Sequence, residues 1–164
     1  MSAYDEILEA NERYAQGFEH GGLAGAPARK FAVVTCMDAR LDPAKFLGLR
    51  EGDAHVIRNA GGLVTDDALR SLIISHWELG TTEAFVVAHT KCGMTTFTNE
   101  EMQRKLSERT GADASSIDFQ PFADLDESVR ASVRRVAESP FLPDEFAARG
   151  FVYDVETGRL REVA

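Results

Sequence analysis

Cysteine is scarce in this chain, with two among 164 residues, Cys36 and Cys92. Two thiols without any export signal are a poor basis for a structural disulfide. They are free thiols, a redox pair or metal ligands, and spacing has to decide between these. Long hydrophobic runs are missing as well. No apolar stretch approaches the roughly 20 residues that span a bilayer, which excludes a membrane-spanning helix. The first 18 residues are acidic and lack a basic start leading into an apolar core. They are therefore not read as a signal peptide, and a cytoplasmic location is expected. Basic charge is in deficit too, with 18 Lys and Arg against 27 Asp and Glu and a net charge of −9. An acidic surface repels phosphate backbones and anionic lipid, so nucleic acid and membrane are poor partners. No repeat of fixed period and no low-complexity tract interrupts the chain.

What remains is the profile of a globular protein. The hydrophobic fraction is 44%, and the length fits one domain over residues 1–164. An amphipathic helix is expected over residues 1–18, followed by a flexible stretch from His20 to Lys30. "KFAVVTCM" reads as a short buried strand. Beyond it, Asp42 is placed to cap a short helix with Pro43 in its first turn, where a missing N–H costs nothing. "DAHVIRNAGG" is a second strand running into a glycine pair. The helix that follows has Thr65 as its cap, Asp66 and Asp67 at the positive end of its dipole, and Gly80 beyond its end. Its apolar positions Leu69, Leu72, Ile73 and Trp77 recur at helical spacing and predict one buried face. "EAFVVAH" is the third strand. Thr98 and Glu101 form a capping box for another helix that Gly111 ends. A further helix runs from about Asp124 to Pro140, and the tail reads as strand, turn and strand.

This alternation predicts an α/β fold, a central and mainly parallel sheet flanked by helices. In such sheets ligands bind beyond the carboxyl ends of the strands. Cys36, Asn59 to Gly62, and His89 to Cys92 all fall at such ends. His89 and Cys92, two spacers apart, can turn toward one point from a tight loop, and Cys36 arrives from a neighbouring strand. Two thiolates and an imidazole suit zinc. Three protein ligands leave a tetrahedral ion one free position, the pattern of a catalytic site, and there is no third cysteine to close it. Asp38, just past Cys36, can either bind the metal or accept a hydrogen bond from water upon it. Arg40 lies on the same side of an extended segment and can hold that carboxylate in a bidentate pair.

"CMDAR" followed by "HTKCG" resembles the β-class carbonic anhydrases, and "VIRNAGG" between them looks like that family's active-site loop. With "TDDALRSL" and the closing "GFVYDVETGRL", the chain is most similar to the short bacterial and archaeal members. The resemblance implies one zinc ion per subunit on Cys36, His89 and Cys92, with water or hydroxide in the fourth place. In a closed form Asp38 would take that place instead. It implies Asp38 and Arg40 as the catalytic pair, orienting the hydroxide for reversible hydration of carbon dioxide to bicarbonate and a proton. It also implies a homodimer or higher homo-oligomer, with the N-terminal helix packing on a partner subunit. Asn59, Ala60, Gly61, Gly62 and Gly93 are expected to line the substrate pocket, Gly61 and Gly62 leaving room for a small linear molecule. Met94 stands where the family commonly has a second glycine, a change at the pocket entrance.

Two other readings stay open at this point. The same zinc site serves relatives that hydrolyse carbonyl sulfide or carbon disulfide. A non-catalytic zinc-binding or thiol-sensing module would use the same three donors. His20, His55 and His76 lie outside the motifs and read as surface or core residues, any one of which could relay a proton. Lys91 reads as a solvated side chain.

Overall fold

The computed structural model describes residues 2–164. Its centre is a five-stranded sheet in the order β2-β1-β3-β4-β5, where β1 is Phe31–Cys36, β2 His55–Asn59, β3 Glu83–His89, β4 Ala147–Tyr153 and β5 Leu160–Glu162. The first four strands pair in parallel and β5 returns antiparallel to β4. This is the predicted sheet, and the tail is the predicted strand, turn and strand.

All six residues of β1 are buried, as befits a central strand covered on both faces. On one face Ala32 and Val34 meet Leu72 of α3 (Asp66–Trp77) and Val136 of α5 (Leu125–Ala137). On the other, Phe31, Val33 and Val87 pack against Phe46 of the short α2 (Pro43–Phe46) and the adjoining Leu47 and Leu49. Burying a Val or Leu side chain is worth about 1.5–3 kcal/mol, so these two layers fix the strand order and hold the strand ends side by side. Cys36 pairs in register with Asn59, and His89 with Tyr153. The last residues of β1, β2 and β3 therefore open onto one end of the sheet.

The caps behave as the sequence predicts. Asp42 accepts from the Lys45 N–H, Thr65 from Ala68, and Thr98 and Glu101 form a reciprocal capping box on α4 (Asn99–Thr110). One expectation on α3 is overturned. Trp77 is 63% exposed, although its spacing placed it with Leu72. Helix α3 ends at that residue, past the edge of the covered sheet, and the indole N–H donates to the Phe141 carbonyl. Ala68 and Ser75 complete the buried stripe instead.

The helix expected over residues 1–18 runs Ala3–Gln16 as α1, and Met1 lies outside the described residues. None of its residues is buried, and Tyr4, Ile7 and Leu8 stand exposed. Tyr14 Oη donates to Glu51 at 2.5 Å, which ties the arm to the body of its own chain. Among the described residues no helix is long and apolar enough to cross a membrane.

Candidate metal centre

Cys36 ends β1, His89 ends β3, and Cys92 begins the 3-10 turn Gly93–Thr95. Their ligand atoms lie within 4.8 Å of one another, and all three side chains are buried. The fold thus brings together the three donors chosen from spacing alone. His89 is fully buried, and its Nδ1 lies 2.9 Å from the Thr90 carbonyl oxygen. A carbonyl only accepts, so Nδ1 carries the proton and Nε2 presents its lone pair toward the sulfurs. That Nε2 is buried and has no hydrogen-bond partner among the described residues. An unsatisfied buried polar atom costs about 1–3 kcal/mol. A divalent cation among these donors removes the cost.

The thiols point the same way. Cys36 is driven well below the ordinary thiol value, first by the neighbouring Cys92 thiol and then, against burial, by the backbone around Asp38 and Gly61. Cys92 is pushed up, because it is the sulfur that keeps the proton the pair shares. Two sulfurs that share one proton in a dry site, next to an imidazole lone pair, form a donor set that zinc fits. The Thr95 N–H and hydroxyl both bond the Cys92 carbonyl, at 3.2 and 2.8 Å, and lock the turn that carries the second sulfur.

Asp38 and Arg40 form the expected bidentate pair. Arg40 Nε donates to Asp38 Oδ1 at 2.9 Å and Nη2 to Oδ2 at 2.8 Å, and the Arg40 backbone N–H adds a bond to Oδ1. This grip holds the Asp38 carboxyl far below the usual carboxylate range and keeps it ionised. Oδ2 sits 3.7 Å from the unpartnered His89 Nε2, so the carboxylate borders the donor cluster directly.

Lys91 does more than the sequence suggested. Its backbone takes a left-handed φ of 56°, rare outside glycine, and its carbonyl accepts from Arg40 Nη2 at 3.0 Å. The side chain does reach solvent, where it pairs with Glu156. Arg58 was missed altogether. From β2 it donates to the carbonyls of Cys36 and Asp38, at 3.0 and 2.8 Å, and braces the segment that carries both functional groups. An arginine within a strand gives no local sign of such a task.

The expected pocket residues divide. Asn59 holds its own loop closed, donating to the Leu63 carbonyl and accepting from the Leu63 N–H. Gly62 approaches β1 so closely, at a φ of 65°, that a Cβ there would lie 2.8 Å from the Cys36 nitrogen. It serves backbone packing, and it leaves no room on that side for a ligand. Gly61 is covered by Phe122 and Met94, while Gly93 is open and Ala60 is exposed. The other histidines are tied elsewhere: His55 to Ser75 and Gly25, His76 to the Thr81 carbonyl, His20 beside Glu51.

A sequence model of the carbonic anhydrase family matches residues 31–160. The chain belongs to the β-carbonic anhydrase family. It is 47% identical over 163 residues to β-carbonic anhydrase 1 of Mycobacterium tuberculosis, covering 99% of each chain. A solved carbonic anhydrase of Streptococcus mutans is likewise 47% identical, with a TM-score of 0.95 over all of this chain and 99% of that one. More distantly, the carbon disulfide hydrolase of an Acidianus species is 35% identical over 182 residues, or 96% of this chain and 89% of that protein. Family membership accords with the donor set, since β-carbonic anhydrases use zinc and Cys36, His89 and Cys92 are placed to bind a metal ion.

Proposed function

We propose that this protein is a zinc-dependent carbonic anhydrase of the cytoplasm, which interconverts carbon dioxide and water with bicarbonate and a proton. The observation that carries this reading is the buried, partnerless Nε2 of His89, facing two thiols with an ionised carboxylate at its side. Cys36, His89 and Cys92 hold the ion. Zinc, when bound, supplies the Lewis acid that lets water ionise near neutral pH, the role for which carbonic anhydrases are the standard example. Asp38, ionised and therefore acceptor-only, takes the hydrogen bond of the attacking water at Oδ2 and points its lone pair at the carbon. Arg40 keeps that carboxylate ionised and aligned, and Gly93 leaves the approach open.

The 35% identity to a carbon disulfide hydrolase supports a second reading, hydrolysis of carbon disulfide or carbonyl sulfide at the same centre. Stopped-flow assays of protein with verified zinc content, run on carbon dioxide and on both sulfur analogues, separate the two. The expected result is efficient carbon dioxide hydration that disappears on chelation and returns with zinc. Turnover of the sulfur substrates alone would overturn it.

We also infer a homodimer or larger homo-oligomer, with α1 docking on a second copy. The support is a capped helix that buries none of its own side chains and displays Tyr4, Ile7 and Leu8. A soluble chain rarely exposes such a face unpartnered. Changing Ile7 and Leu8 together to Asp will lower the mass seen by light scattering to that of a single chain. An unchanged mass would refute the docking role.

A further inference from the structure

The connection between α4 and α5, residues 111–124, contains no regular element, a length at which loops usually serve function. It is nevertheless fixed. Asn99 Oδ1 accepts from the Phe119 N–H at 2.8 Å, Gln103 Nε2 donates to the Ser115 and Ile117 carbonyls, and the Phe122 N–H donates to the Met94 carbonyl at 3.2 Å. Helix α4 buries no residue in the core, and these bonds tie it to the loop. What the loop delivers is the ring of Phe122. With Met94, that ring packs on the buried cluster of Cys36, Leu41 and Cys92. A Cβ placed on Gly61 would lie 3.0 Å from Phe122 Cε1 and 3.3 Å from Met94 Cγ, so both side chains cover that glycine directly. On its other sides the same ring lines two surface clefts. One, of about 800 Å³, is bordered by Thr95, Thr98, Asp118 and Gln120, and the other, of about 240 Å³, by Leu63, Val64 and Arg135. One aromatic side chain thus stands between open surface clefts and both Gly61 and the buried Cys36.

We propose that Phe122, backed by Met94, is a specificity-determining wall of the metal centre. It limits the cross-section of the linear molecule that reaches the donors, admits carbon dioxide, and restrains the wider, sulfur-bearing carbon disulfide. Where the metal centre has a charged side in Asp38 and Arg40, this side is apolar, which suits an uncharged substrate and keeps bulk water out. The selectivity claim rests on the carbon dioxide reading, but the wall itself is open to a separate test.

That test uses the scarcity of cysteine. The only two thiols of the chain both lie in the centre, so alkylation of metal-free protein by N-ethylmaleimide reads access to it alone. Phe122→Ala will raise the alkylation rate about 10-fold or more, with Phe122→Leu in between. On zinc-loaded protein, the ratio of kcat/KM for carbon disulfide to that for carbon dioxide will rise by about 10-fold or more, the scale on which pocket volume discriminates. Val136→Ala, a cavity in the opposite core layer, controls for general loosening and will move neither readout. Should Phe122→Ala fail to fold, Met94→Ala and Phe122→Leu carry the same expectation. Folded variants with unchanged alkylation rate and unchanged ratio would overturn the wall. A wild-type protein that turns over neither substrate would overturn the functional reading instead, while the alkylation series still decides the wall.

Discussion

His89→Ala will strip the protein of its metal. The imidazole is the only nitrogen donor in the cluster, and its orientation is set in advance by the bond from Nδ1 to the Thr90 carbonyl. Changing the outer partner of a metal-binding histidine typically costs 10–100-fold in affinity, so loss of the ligand itself will cost more than about 100-fold. The two sulfurs left behind cannot compensate, because they are only two of the three protein donors that the fold brings together. Competition with a chromophoric chelator measures the affinity. Thermal melting supplies an independent check, since an ion that binds only the folded state raises Tm with its concentration. Wild-type protein will melt higher with zinc than without it, and His89→Ala will melt at the same temperature in both. The metal-free variant gains and loses at once: the orphaned Nε2 disappears, but a cavity opens beside Cys36. One zinc per chain retained by His89→Ala would mean that the three donors do not form the site.

The donors could be read from sequence because each lies at a strand end and because their chemistry is rare. Cys36, His89 and Cys92 follow runs whose burial is obvious from composition, and a parallel sheet gathers the ends of its strands. The strand spans were legible for the same reason, β3 from Glu83 to His89 in full. Trp77 shows the limit. Helical periodicity finds a stripe, but it does not reveal where the covering sheet stops, and the stripe outruns it. Arg58, Lys91 and Phe122 were illegible for another reason. Arg58 and Phe122 meet the centre through backbone carbonyls or a glycine distant in sequence, and Lys91 contributes its own carbonyl, not its side chain. Contacts made to or by the main chain leave no mark in residue type. Gly61 and Gly62 were noticed for their small size, and the structure adds what that size accommodates. Gly62 makes room for β1, and Gly61 lets Phe122 and Met94 pack close against it.

Asp38→Asn will separate metal binding from turnover. The amide is nearly isosteric, and the three donors do not include this side chain, so zinc content will stay at one ion per chain. Two properties of the carboxylate vanish. The amide nitrogen cannot accept a hydrogen bond, and the charge that draws the Arg40 fork is gone. If Oδ2 receives the proton of the attacking water, kcat will fall by about 100-fold or more, within the 10²–10⁴ range for a positioned acid–base group. Arg40→Lys offers the graded counterpart. A lysine keeps the charge but replaces the planar fork with a single ammonium, and it cannot serve both oxygens and the Lys91 carbonyl together. Asp38 will stay ionised but lose its alignment, and a smaller loss of about 10-fold follows, in kcat more than in KM, because misaligned groups affect the transition state. A non-catalytic module has no turnover to lose, and substitution of Asp38 or Arg40 would leave its function intact. If Asp38 is a permanent fourth ligand, Asp38→Asn will weaken zinc binding as much as it weakens any activity. Zinc affinity and kcat measured on the same preparations distinguish the two, since only a carboxylate that works on water leaves the first untouched while lowering the second.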